Sequence, residues 1–317
     1  MSELYLPFKH IESPVRLKEL SKLDPRCKVI QFDTPLTEYD FLTLADFLKN
    51  NPQIGLRIYG HREFGLEDLS FLRHFSFIKD FSVEVWKLKS FAGIEYLSDS
   101  LESLTIGTTE RKKSVSFLAN FSSLKELNIE GHAKGIECIG RIASLERLTL
   151  RSLSLDNLNF LDANDKLWWL AIKLGGTRNL ANLSEYKKLK YLELWRINKF
   201  DNLDFLENMI GLQFLFLQTL NQIKSLPSFK NLVSLRRLHI QTMKGLTDVS
   251  PICEAPILEE LLVLDSPQLT VNNFLCLKGC PKLKRILIRL GSLKKNDAIE
   301  NLLGLDVAKY DHEFNFI

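Results

Sequence analysis

Several things are missing from this 317-residue sequence, and each absence excludes something. No basic start runs into an apolar stretch, so no secretory leader is expected. No apolar run is long enough to cross a bilayer, so no membrane role is expected. Five cysteines in a chain this long do not make a disulfide framework, and a reducing cytoplasm is the expected compartment. Neither sign of charge prevails: 42 Lys and Arg face 39 Asp and Glu, a net charge of +3, which argues against a polyanionic partner. There is no glycine-rich phosphate loop and no His-Glu-x-x-His, and the six histidines are scattered. Cys253, Cys276 and Cys280 have no histidine or carboxylate nearby to complete a zinc set. Cys138, Cys276 and Cys280 share columns with apolar residues of other repeats, so all three are expected buried and unbridged. Cys253 is expected to be more exposed. No metal, cofactor or catalytic residue is expected.

What the sequence does have is one spacing, apolar-x-x-apolar-x-apolar, ten times over. It begins at Ile78-Phe81-Val83 and Leu101-Leu104-Ile106 and runs through Leu212-Leu215-Leu217 to Leu283-Ile286-Ile288. Successive copies start 21 to 25 residues apart. A fixed period in this range marks a solenoid, because one such unit cannot bury its apolar face alone. Six residues before each strand motif stands a second apolar column, which includes Leu118, Ile139, Leu161, Leu183, Leu206, Phe229, Ile252 and Leu277. Each unit therefore reads as a short strand, a turn and a short apolar return segment.

This pattern resembles the leucine-rich repeat family, in particular its short-repeat type in bacterial internalin-like and phosphatase-regulator-like proteins. Leu66–Leu72 and Leu246–Ile252 are similar to the return segment of that type. The resemblance implies an α/β solenoid, with a curved parallel β-sheet on the concave face and short helical or irregular segments on the convex face. It also implies a bacterial, non-catalytic binding protein. One departure stands out. The position after each strand where the family places Asn or Cys holds Thr109, His132, Leu153, Gly175, Ile197, Leu220 and Met243. These turns must satisfy their buried amides in another way.

The repeats are expected to form one continuous domain over residues 53–290, between caps at 1–52 and 291–317. Val29–Phe32 reads as a strand. Thr37 and Asp40 form a capping box ahead of a helix with Phe41, Leu44, Ala45 and Leu48 on one face. Asn50-Asn51-Pro52 ends that helix. Helix is expected to be scarce outside residues 37–49. Phe314, Phe316 and Ile317 alternate with polar residues and are expected to lie over the final unit.

Strand side chains alternate, so the residues between the buried leucines face the other way. That face is zoned: acidic in the early units, basic at Arg147, Arg151 and Lys173, and aromatic in the middle. Trp169, Tyr191 and Phe214 share a column, with Trp195 and Phe216 beside them, Arg237 and His239 following, and Trp168 at the edge. Aromatics flanked by charge have the composition of an interface hot region. Cross-strand packing alone would also account for them, and so would self-association. Stacked aromatics beside arginines suit single-stranded nucleic acid, but the basic residues form clusters and no continuous track.

The expected function is a protein-binding scaffold that takes another protein on the strip from Arg147 to Arg237. The alternatives are an immunity protein that occludes a toxin domain and a secreted pathogen effector. The five aromatics are expected to be exposed, so that replacing Trp195 or Phe214 weakens binding more than folding.

Overall fold

We describe residues 8–310 and 313–317 of a computed structural model. Among them, fourteen strands follow one another through the sheet in chain order. The chain divides into two compact units, Met1–Leu148 and Thr149–Ile317. The first unit holds β1 (Phe8–His10), β2 (Val29–Phe32), β3 (Gly55–Leu66), β4 (Asp80–Leu88), β5 (Ser103–Ile106) and β6 (Glu126–Glu130). Strand β7 (Arg147–Leu153) contains the unit boundary. The second unit holds β8 (Trp169–Gly175), β9 (Tyr191–Ile197), β10 (Phe214–Gln218), β11 (Arg237–Gln241), β12 (Glu260–Leu264), β13 (Arg285–Arg289) and β14 (Asp306–Val307). Neighbouring strands pair parallel with equivalent motif positions opposite each other, as Leu104 with Leu127 and Leu215 with Leu238.

Strands β4 to β13 are the ten motif copies. In every copy the fourth and sixth motif positions are at most 2 % exposed. Burying one leucine or isoleucine in this way contributes roughly 1.5–3 kcal/mol, so the repeat is the main source of stability. The return segments are mostly 3-10 turns. Leu118, Ile139, Leu161, Leu183, Leu206 and Ile252 point inward from them and are fully buried. Five of these turns start with one device: a side-chain oxygen of Asp68, Asn157, Asn179, Asn202 or Asp248 accepts the N–H two residues on. This Asx bond stops the strand geometry and starts the turn.

The turns after the strands show what replaces the missing Asn column. His132 is buried, accepts the Lys113 N–H at Nδ1 (3.0 Å) and lies 3.2 Å from the Gly107 carbonyl through Nε2. Burial lowers its pKa, with the two backbone hydrogen bonds opposing that shift. Thr177 accepts the Leu155 N–H and donates to the Leu153 carbonyl. Met243 takes the Leu220 N–H on sulfur. The residue before this column is left-handed in unit after unit. Gly131 has φ 78°, and Ser152, Leu174, Arg196, Thr219, Thr242 and Asp265 have φ between 49° and 57°. A non-glycine residue is strained in that region, and the ladder on either side imposes it.

The N-terminal segment was expected to carry one helix and carries two. Helix α1 (Leu17–Leu20) precedes β2, and α2 (Glu38–Lys49) opens with the Thr37–Asp40 capping box and buries Leu44, Ala45 and Leu48. Two expectations are overturned at the other end. First, an eleven-residue helix, α3 (Leu293–Leu303), stands where little helix was expected. Its N-cap, Ser292, accepts the Lys295 N–H, and Asn296 reaches back to the Leu290 N–H. Second, Cys276 is bridged to Cys253. Both are half-buried, on successive return segments whose stacking brings their Cα atoms to 6.1 Å. Cys138 is likewise half-buried, while Cys27 and Cys280 are buried and free.

Candidate protein-binding face

Part of the face expected to bind a partner is already covered, within the second unit, by residues 313–317 of the same chain. Tyr191, Phe214 and Phe216 form a buried cluster, and Trp169, Phe314 and Phe316 pack against it. Trp169 stacks flat on Tyr191, centroids 4.7 Å apart, and Tyr191 meets Phe214 edge-on at 5.1 Å. Each pair comes from motif position three on adjacent parallel strands, which holds the rings within stacking distance.

The covering segment is read mainly through side chains. Phe316 sits edge-on to Trp168 at 5.1 Å, and Phe314 sits edge-on to Phe214 at 5.4 Å. The guanidinium groups of Arg236 and Arg237 lie over the Phe314 ring at 5.2 and 5.4 Å. The Gln213 amide makes two bonds to one residue, donating to the Ile317 carbonyl (2.8 Å) and accepting the Ile317 N–H (2.9 Å). Arg236 donates to the Asn315 carbonyl at 3.0 Å. Next to the segment, Tyr310 bonds to Gln241 and stands edge-on to His239.

Around the cluster runs a row of charges. Lys173 pairs with buried Glu193 at 2.8 Å, and the Tyr191 hydroxyl donates to the same carboxylate. Buried Arg237 pairs with buried Glu260, which also holds Arg285 at 2.9 Å. Each buried charge thus has an opposite partner on a neighbouring strand, without which its desolvation would be prohibitive.

The exposure expected for five of the ten predicted residues is therefore corrected. Tyr191, Phe214, Phe216, Arg237 and His239 are all at most 8 % exposed. Aromatic rings lined up across adjacent strands shed water against one another, and the Phe314 and Phe316 rings cover the rest. His239 lies flat against Phe216 at 4.1 Å. Trp169, Trp195, Arg151 and Lys173 remain partly exposed, with Arg151 over the Trp195 ring at 5.6 Å. In the first unit, Arg147 is half-buried and 3.6 Å from Glu126.

The sequence reading missed Gln213 and Arg236 and left Trp168 at the margin. All three occupy motif position two, just before the strand, where alternation gives no clear direction. The signal that could have found them is the Phe-x-Phe at residues 314–316, an apolar stripe with nothing local to cover it. Its expected place was the final unit, but it lies on β8 to β11.

These features define a protein with the leucine-rich repeat fold whose sheet face carries a segment of its own chain. Comparisons with solved structures agree on the fold. An internalin, InlF of Listeria monocytogenes, matches with a TM-score of 0.56 at 16% identity, over 90% of this chain and 79% of its own. The Toll–Spätzle complex of Drosophila also gives 0.56, at 14% identity, over 89% of this chain and 43% of the matched one. No family model matches the chain, and no curated protein is similar to it.

Proposed function

We propose that this chain is a non-catalytic, protein-binding scaffold that receives its partner on the face of β8 to β11. The observation that carries this reading is the polypeptide segment already bound there, held by aromatic contacts and by the paired amide bonds of Gln213. A face that holds one segment of polypeptide has the shape and chemistry to hold another. Trp195, Trp169, Lys173 and Arg151 remain partly exposed in the second unit and would form the partner's first contact. Among the described residues no helix is long and apolar enough to cross a membrane.

Between the finer readings, the Cys253–Cys276 bridge favours a chain that works outside the reducing cytosol, such as a protein secreted from the cell. It weighs against a cytoplasmic immunity protein.

The test is affinity capture from native lysate, comparing the native chain with Trp195→Ala. The variant should hold a captured partner weaker by about 2 kcal/mol, roughly 30-fold. Equal retention by both chains would place the interface elsewhere.

A further inference from the structure

We propose that the groove over β8 to β11 is a receptor for a segment of the pattern Phe-x-Phe followed by any residue with a free N–H. Residues 313–317 are its occupant in cis, and a partner protein carrying that pattern displaces them. This inference rests on the scaffold reading above.

Three observations carry it. The first is the way the segment is held. Among the described residues, 313–317 form no strand, so the sheet does not bind them through a backbone ladder. Phe314 and Phe316 are only half-buried, and Glu313, Asn315 and Ile317 are exposed. The segment lies on the surface and can leave without unfolding a repeat.

The second is selectivity. Phe314 is sandwiched between the Phe214 edge and two guanidinium groups, an environment that favours an aromatic ring over an aliphatic chain. Phe316 meets Trp168 and Tyr191. The residue between them points outward and its side chain is not read, while Arg236 takes its carbonyl.

The third is register. Gln213 bonds the N–H and the carbonyl of the single residue after the second phenylalanine. That clasp would read any residue with a free N–H and fixes where the two rings fall.

A tethered segment acts at an effective concentration of about 1 mM, so a partner must outcompete it. The test uses a fluorescein-labelled peptide of residues 310–317 and a control peptide with serine at both phenylalanine positions. Anisotropy is read with the native chain and with the full chain carrying Phe314→Ser and Phe316→Ser. The tail-weakened chain should bind the labelled peptide at least about tenfold more tightly than the native chain does. It should not bind the control. The proposal is overturned if both chains bind alike, if both peptides bind alike, or if the tail-weakened chain binds neither.

Should the double variant lose its circular dichroism signal, Phe316→Leu takes its place. That change keeps the face covered but removes the ring from Trp168, and the same ranking is required. Peptide binding is read without a partner protein. Specific peptide binding with no partner captured supports this groove and sinks only the wider scaffold reading. A captured partner held equally by the native and tail-weakened chains overturns the displacement and leaves the wider reading standing.

Discussion

Replacing Phe214 with alanine should destabilise the second unit by about 3 kcal/mol. Phe214 is 3 % exposed, between Tyr191 on one side and Arg237 on the other, with Phe314 above. A buried phenylalanine removes about 150–250 Å² from water, worth roughly 4–6 kcal/mol at about 25 cal/mol per Å². The unfolded chain already hides part of that area, and alanine keeps part of it, which lowers the figure to about 3 kcal/mol. Three of the four tryptophans, Trp168, Trp169 and Trp195, lie in this unit, so urea unfolding followed by tryptophan fluorescence reports on it. Phe314→Ala should cost less, because that ring is half-buried. The double variant should fall short of the sum by about 0.5–1.5 kcal/mol, the coupling of an edge-on aromatic pair. A Phe214→Ala cost below about 1 kcal/mol, or strict additivity with Phe314→Ala, would refute the packing described.

Three further outcomes follow from other parts of the molecule. Burial alone would raise the Asp40 pKa, but hydrogen bonds from Ser13, the Val15 N–H and Thr37 outweigh it and hold it at about 2, against an ordinary 3.8. The native value is the depressed one, so this stability is present above about pH 4 and is lost as pH falls toward 2. It amounts to about 2 kcal/mol, and urea titrations across that range should show it in the native chain and not in Asp40→Asn. Mass spectrometry without reductant should find one bridge, Cys253–Cys276, and three alkylatable thiols after unfolding. Closing a 23-residue separation is worth up to about 3 kcal/mol, so reduction should lower the urea midpoint of the second unit, and an unchanged midpoint would count against the bridge. Thr219→Gly should stabilise the chain by about 0.5 kcal/mol, because relief of the left-handed strain at φ 55° exceeds glycine's added chain entropy; a lower thermal midpoint would contradict this.

The sequence alone determined the repeat, and with it the fold. A period of 21 to 25 residues carrying two apolar columns has one way to bury both, and the structure places Leu104, Leu127 and Leu215 and their equivalents where the spacing requires. The capping box at Thr37 was equally legible, because its two residues are three apart and bond each other. Contacts between distant residues were not legible. Gln213 and Ile317 stand 104 residues apart, and no local periodicity links them. Alternation predicted that Phe214 faces away from the leucine core, which it does. Alternation has no term for a second layer, so it could not tell that Phe314 would cover that ring. The disulfide failed for the same reason: Cys253 and Cys276 occupy different columns of the repeat pattern, and only the stacking of successive return segments brings them together. Local spacing fixes which way a side chain points, while tertiary structure alone decides whether water or another part of the chain meets it there.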